Sequence, residues 1–413
     1  MRVLQPKTKP AVHPNFHHLV QDIVWFGLAL PATTRFLSVY AVRVGAGPEE
    51  LSWLTSLPAI LILLAATMSR WWMKRYPSTI QALFWPSFGF RLTFLLPALT
   101  PFFPPEWQPA WLIVSLALPA LPQGIASVLF LVMMREAVDD GEVTPLLSRR
   151  SLALNITVGL SGLMLGLWLD MVPFPFNYQA MFLLAFALAL VSLWHVMQIR
   201  VQPLAALPQL TQAPVSGRNP WRTPAFLQVG FIAGIMHLAF FSVLPLTPLY
   251  LVDNMGATEG FMAIFALFEL GAGALASTIT SRIIERIGAR NVIALGMLGT
   301  AAGAAVIAFA PHLYWTLPAA AFLGGSWTAA GIGLFAYFTE STPQEDKTPF
   351  TTAYLQVVYL AVFLAPMVGM LLSNTGINLV AIILFGAVLR GIAALLIQPR
   401  IFAVHRYSHR LAS

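Results

Sequence analysis

The stretch FALFELGAGALA, residues 265–276, carries one carboxylate, Glu269, among residues that are otherwise apolar or glycine. An acid so placed is tolerated only if a proton, a cation or water meets it, because an uncompensated charge in an apolar medium is costly. Two chemistries fit: reversible protonation, or service as counter-ion to a cationic or polar solute. The structural alternative is a lock, a buried pair with Arg35 or Arg91 that fixes one helix on another. His237, in the middle of another apolar run, is either a titrating imidazole or a hydrogen-bonded packing residue. Asp22 lies just inside the first run, where a carboxylate can bind a solute or simply complement the helix dipole. Gln123, Trp327, Tyr354, Gln356 and Tyr359 are side chains of the kind that give a mostly apolar cavity its few directing groups, and equally of the kind that pack. Arg390, near the end of the last run, is expected to snorkel toward the membrane surface.

No reaction centre accompanies these residues. Cysteine is absent, which removes thiol chemistry and cysteine-held metals. There is no G-x-x-x-x-G-K-[ST], no H-E-x-x-H and no G-x-S-x-G. His13, His17 and His18 read as a solvated tail rather than a metal site. The expectation is therefore no enzyme, no catalytic residue, no metal and no cofactor.

The elements that position these side chains follow from composition. Of 413 residues, 58% are hydrophobic and 9% charged, and the mean hydropathy is +0.76. A soluble chain of this size needs more polar surface, so most of the exterior must face lipid. Apolar runs long enough to cross a bilayer as helices fall at 19–41, 51–69, 79–99, 110–134, 151–169, 179–197, 225–251, 260–280, 292–310, 315–338, 350–372 and 378–397. The class is all-α and polytopic, with twelve transmembrane helices. Glu269 lies nine residues after Gly260, roughly 14 Å along a helix and close to mid-bilayer.

The connecting segments carry the charge. With the N-terminus inside, nineteen of the 23 Lys and Arg fall in cytoplasmic segments, Arg150 among them, and Arg43 alone falls outside. That asymmetry predicts a multi-pass cell-membrane protein with both termini cytoplasmic. It also explains the net charge of +7 without nucleic acid. The chain divides into a tail at 1–18, a six-helix bundle at 19–197, a Pro-rich linker at 198–224, a second bundle at 225–397 and a tail at 398–413.

The halves repeat. YAVRVGAGPEELSWLTSLPAI at 40–60 matches YLVDNMGATEGFMAIFALFEL at 250–270 when Ala46 is set on Ala257, and Arg75 then falls on Arg286 with no gap. SRIIERIGAR, residues 281–290, is similar to the G-x-L-x-D-R-x-G-R-R loop of the major facilitator superfamily, with Glu285 in the acidic place and Arg286, Gly288 and Arg290 matching. The first-half copy, RWWMKRYPS, has Lys74 where the acid belongs and Pro77 for the glycine. TESTPQEDKTP, leaving helix 10, resembles the same family's acid–Pro–basic loop. Helix 4 has Ala120 where proton-coupled drug exporters of the family carry arginine, and helix 5 lacks the antiporters' G-P pair.

The resemblance implies two pseudo-symmetric six-helix bundles, a midplane solute site and alternating access. It implies that helix 1 lines the cavity, which makes Arg35 the better candidate to meet an anionic group or Glu269, and leaves Arg91 as structural. It implies a cytoplasmic gate in which Arg75 pairs with Glu136 and Arg286 with Glu340. The expected function is a secondary transporter of a small organic solute, coupled to protons through Glu269. An uncoupled uniporter and a scaffold that keeps the fold without transport remain open. The expected partners are the solute, protons and the lipid bilayer, and the expected state is a monomer.

Overall fold

The computed structural model describes residues 14–138, 140–201, 219–342 and 347–398. Most of the expected linker and both chain ends, His13 included, lie outside those residues.

Among the described residues there are twelve α-helices of 16 residues or more and no strand. They are α1 (Pro14–Ala29), α2 (Pro48–Thr67), α3 (Thr79–Leu95), α4 (Gln108–Ala137), α5 (Asp140–Met171) and α6 (Phe176–Met197). The second set is α7 (Pro224–Phe241), α8 (Glu259–Ile287), α9 (Ala289–Ala308), α10 (Thr316–Ser341), α11 (Lys347–Asn374) and α12 (Leu379–Ile397). Each expected apolar run overlaps one of them. Eleven of these stretches are long and apolar enough to cross a membrane. The exception is the first, which is helical throughout but broken into α1 and two short helices, Pro31–Thr34 and Phe36–Arg43.

Proline makes that break and side chains repair it. Pro31 has no N–H to give to the carbonyl four residues back, at Gly27, and the Ser161 hydroxyl of α5, whose shorter bond is to Thr157 O at 2.6 Å, lies 3.4 Å from that carbonyl. Pro86, inside α3, frees the Ala82 carbonyl in the same way, and the Trp72 indole donates to it at 2.8 Å. In lipid no water is at hand, so a freed backbone group needs such a partner.

The chain forms two compact units, Met1–Phe36 with Leu61–Thr211, and Leu37–Ile60 with Gln212–Ser413. The repeat assigns 37–60 to the first six helices, whereas by contact these residues go with the second unit. One reason is visible at Arg43, whose Nε and Nη2 each donate to Glu259 at 3.0 Å at the start of α8. In the first unit α1 packs on α5 and α6, and α3 on α4 and α6. Phe16, Leu19, Leu83, Leu129, Met133 and Leu146 form its buried cluster. In the second unit α10 packs on α8 and α9, α12 on α9, and α7 on α11. Leu152, Met164, Leu275 and Leu371, each more than 60% exposed, are the large apolar side chains that a membrane must cover.

The repeat is present in the backbone. Gly45 and Gly256, one residue before the aligned Ala46 and Ala257, both have positive φ, 88° and 69°. The following amides each close a turn, Ala46 N–H to Ala41 O at 2.8 Å and Ala257 N–H to Leu251 O at 2.9 Å, the second one residue longer than the first. A side chain at either glycine would be strained.

Candidate functional site

In the first unit a chain of buried polar groups joins four helices. Asp22 of α1, 4% exposed, accepts from Ser192 Oγ of α6 at 2.7 Å on one oxygen and from Arg150 Nη1 of α5 at 3.1 Å on the other. Ser192 in turn accepts from Arg91 Nη2 of α3 at 2.7 Å, and Arg91 lies 3.8 Å from Asp22. Arg91 makes a bond through each of its nitrogens: Nε also donates to Ala189 O at 2.7 Å and Nη1 to Ser87 O at 2.9 Å. Arg150 also donates to the Leu19 carbonyl. Two guanidinium groups thus surround one carboxylate, and burial of that carboxylate is tolerated because each of its oxygens accepts a hydrogen bond and both cations lie beside it.

A cavity of about 370 Å³ opens beside this cluster, within the usual range for a small-molecule site. Its polar lining comes from Asp22, Ser87, Arg91, Gln123, Ser127 and Arg150, and its aromatic lining from Phe26, Phe90 and Phe130. Phe26 and Phe90 stand 5.8 Å apart, and the Arg150 guanidinium lies 5.0 Å from the Phe130 ring.

Two expected residues, Asp22 and Gln123, therefore meet at one cavity. Asp22 is not a first-turn dipole partner: α1 begins at Pro14, earlier than the apolar run, which places Asp22 well inside the helix. Arg91 has the structural role expected of it and lines the cavity as well. Arg150 is the residue that the sequence misplaces among loop cations. Helix α5 begins at Asp140 and carries Arg150 on the same face as the fully buried Leu146, one turn earlier. That helical phase, which separates it from the exposed Arg149, is the signal that could have found it.

The other candidates do not line that cavity, and all but Arg35 and the gate residues Arg75 and Glu136 belong to the second unit. His237, 9% exposed, bonds through Nδ1 to the carbonyl of Ala233 at 2.8 Å and lies against Trp327, ring centres 5.4 Å apart. Trp327 stacks on Phe240 at 3.9 Å. Tyr354 packs on Phe338 at 4.8 Å, Tyr359 is half-buried, and Gln356 is exposed. Glu269 is half-buried where α8 and α10 touch, since a Cβ on Gly324 would stand 1.9 Å from the Glu269 carbonyl oxygen. Arg35 is half-buried between the short helices Pro31–Thr34 and Phe36–Arg43, in the first unit.

Arg390 does not snorkel. It is 2% exposed and donates to the carbonyls of Phe240 at 2.9 Å and Thr300 at 3.2 Å. Helix α7 ends at Phe241, which leaves the Phe240 carbonyl without a helical donor, and Arg390 supplies one.

Neither expected gate pair is formed among the described residues. Glu136 accepts from the Thr79 hydroxyl at 3.1 Å, and its burial raises its pKa. Arg75 lies over the Trp71 ring at 3.1 Å. Thr79 is the nearer donor to Glu136, while an exposed arginine gains more from an adjacent indole face than from a distant acid. Glu285, Arg286 and Glu340 are exposed. Arg290 donates to the last carbonyls of α12, at Ile397 and Gln398, with the shortest contact 2.9 Å.

The Major Facilitator Superfamily profile matches residues 22–366 and, in a second alignment, 229–410. The fold is similar to the crystal structure of an auto-inhibited POT family peptide transporter, with a TM-score of 0.72 and 13% identity over 97% of this chain and 99% of that one. It is similar to a mutant of the nucleoside transporter NupG, with a TM-score of 0.72 and 10% identity over 93% and 98%. A D-xylose–proton symporter gives a TM-score of 0.67 and 14% identity over 93% and 96%. No curated protein matches the sequence. At these identities the structures speak for the fold alone, and the profile decides the family. The chain belongs to the Major Facilitator Superfamily and is a membrane transporter, not an enzyme.

Proposed function

We propose that this protein is a secondary transporter of a small organic solute, that the solute binds in the cavity of the first unit, and that Glu269 couples its movement to protons. The observation that carries the binding reading is the cavity of about 370 Å³ set against the Asp22–Ser192–Arg91–Arg150 chain. Charged groups are expensive in a membrane interior and mark solute or ion pathways when they line a cavity. The coupling reading is supported by the half-buried position of Glu269 on an otherwise apolar helix. Alternating access carries the solute across, with the termini on the cytoplasmic side as the basic residues indicate. The gate residues Arg75, Glu136, Glu285, Arg286, Arg290 and Glu340 act in access states in which their partners differ from those described above.

Proteoliposomes with an imposed pH gradient test this. They are offered labelled amino acids, dipeptides, sugars, nucleosides and aromatic carboxylates. Wild type is expected to concentrate at least one class, Glu269→Gln to exchange that solute without concentrating it, and Gln123→Leu to raise its KM. Equal accumulation by wild type and Glu269→Gln would remove the proton role and leave a coupling-free facilitator or another coupling group. No movement of any class would favour a scaffold.

A further inference from the structure

We propose that the cavity of the first unit takes an organic anion, its acidic head held by Arg150 and Gln123 and its apolar body by Phe26, Phe90 and Phe130. This deepens the reading of the cavity as the solute site and rests on it.

The inference comes from which hydrogen-bonding groups are already used. Asp22 has one oxygen committed to Ser192 and the other to Arg150, so it offers little to a cationic solute. Arg91 makes a bond through each of its three nitrogens, so it keeps only one N–H on each Nη. Arg150 commits Nη1 alone, to Asp22 and to the Leu19 carbonyl. Its Nε and Nη2, and the carboxamide of Gln123, hydrogen-bond to nothing among the described residues, and both side chains line the cavity. Arg150 is nonetheless 9% exposed, which makes it a buried cation with donors still to place. A guanidinium edge presents two parallel N–H groups, the match for a carboxylate, sulfonate or phosphonate.

Charge points the same way. Arg91 and Arg150 outnumber Asp22, and no other charged residue among those described lines the cavity. The site therefore has an excess positive charge in a low-dielectric wall, which attracts an anion and repels a cation. The three phenylalanines around it have no polar atom to offer, so the rest of the ligand is apolar.

The test uses purified full-length protein in detergent and measures the thermal midpoint against rising concentrations of benzoate, benzenesulfonate, benzamide and phenyltrimethylammonium. Wild type should be stabilised by the two anions and not by the amide or the cation. Arg150→Gln should weaken anion binding by about tenfold or more, with partial recovery in Arg150→Lys. Because Arg150→Gln also disturbs Asp22 and risks misfolding, Gln123→Glu is the second variant: it leaves the cluster intact and places an anion beside Arg150. It should abolish benzenesulfonate binding. Stabilisation by phenyltrimethylammonium alone, by none of the four compounds up to millimolar concentration, or equally by the anions in wild type and Gln123→Glu, overturns the inference. A parallel arm measures labelled benzenesulfonate and phenyltrimethylammonium, both membrane-impermeant, in proteoliposomes. Arg150-dependent binding without movement would keep the anion site and sink the transport reading. Movement of the cation without the anion would do the reverse.

Discussion

Arg390 shows how a single side chain can serve a membrane fold without an ion pair to any acid among the described residues. Two of its nitrogens bond carbonyls on α7 and α9, and its guanidinium lies 4.9 Å from the Phe240 ring. Replacing it with methionine keeps the volume but leaves the Phe240 carbonyl unmet, which should cost about 1–3 kcal/mol. A thermal midpoint in detergent equal to that of wild type would contradict this role. His18 makes a different prediction at the same scale. Its Nδ1 faces Nδ1 of His195 at 3.0 Å, so at least one of the two rings must be neutral to accept. Burial and the neighbouring His17 lower the pKa of His18 below the usual imidazole value. A lowered histidine pKa means that the folded state holds its proton less tightly than the unfolded chain does. The stability this contributes is present above the unfolded value, about 6.5, and is lost as the pH falls through the folded value. Acidification from about pH 7.5 to 5.5 should therefore lower the melting temperature of wild type more than that of His18→Gln. Parallel pH curves for the two proteins would rule the effect out.

Helices pack in this chain where glycine lets backbones approach. A Cβ on Gly324 of α10 would stand 1.9 Å from the backbone of Glu269, and one on Gly299 of α9 would stand 2.0 Å from Ser326 Oγ. Gly159 of α5 and Gly331 of α10 face no atom within 4 Å. Alanine at Gly324 or valine at Gly299 should strongly reduce the yield of monodisperse protein. Gly159→Ala and Gly331→Ala should leave it unchanged or raise the thermal midpoint, because alanine is the better helix former by about 1 kcal/mol. Size-exclusion profiles of the four variants decide the matter. If all four behaved alike, close approach at Gly324 and Gly299 would not be what holds these helices. On α5 a Cβ at Gly162 would stand 3.7 Å from Pro31, an ordinary contact, whereas on α9 one at Gly303 would stand 2.9 Å from Leu323.

At the scale of the whole molecule, the fork between Arg43 and Glu259 joins the residues that follow the first membrane run to the start of the eighth helix, 216 residues later. Arg43 is also the one cation that the charge pattern leaves on the outer side. Its side chain is 36% exposed, so solvent screens the pair, and a double-mutant cycle should give a coupling below about 1 kcal/mol. Its influence on the transport cycle should exceed its influence on stability, because a pair that forms in one access state need only bias the balance between states. Charge reversal at both positions should restore the transport rate that either reversal alone disturbs. Unchanged transport in the single variants would make the fork a bystander.

Much of this was legible in the chain itself. Hydropathy runs mark out the twelve long helices, eleven of them in stretches long and apolar enough to cross a membrane, and the two aligned segments each carry a positive-φ glycine. These signals are local: a run of apolar residues long enough to cross lipid means the same thing wherever its neighbours lie. What the sequence does not reveal is which face of such a run meets the bundle, because a helix apolar on every side has no stripe to mark it. The partnership of Asp22 with Arg150, 128 residues apart, the burial of Arg390 and the Arg43–Glu259 fork were settled only when helices docked side against side. Each depends on a lateral choice among faces of similar oiliness, made by glycine contacts, proline breaks and the need to meet every freed carbonyl.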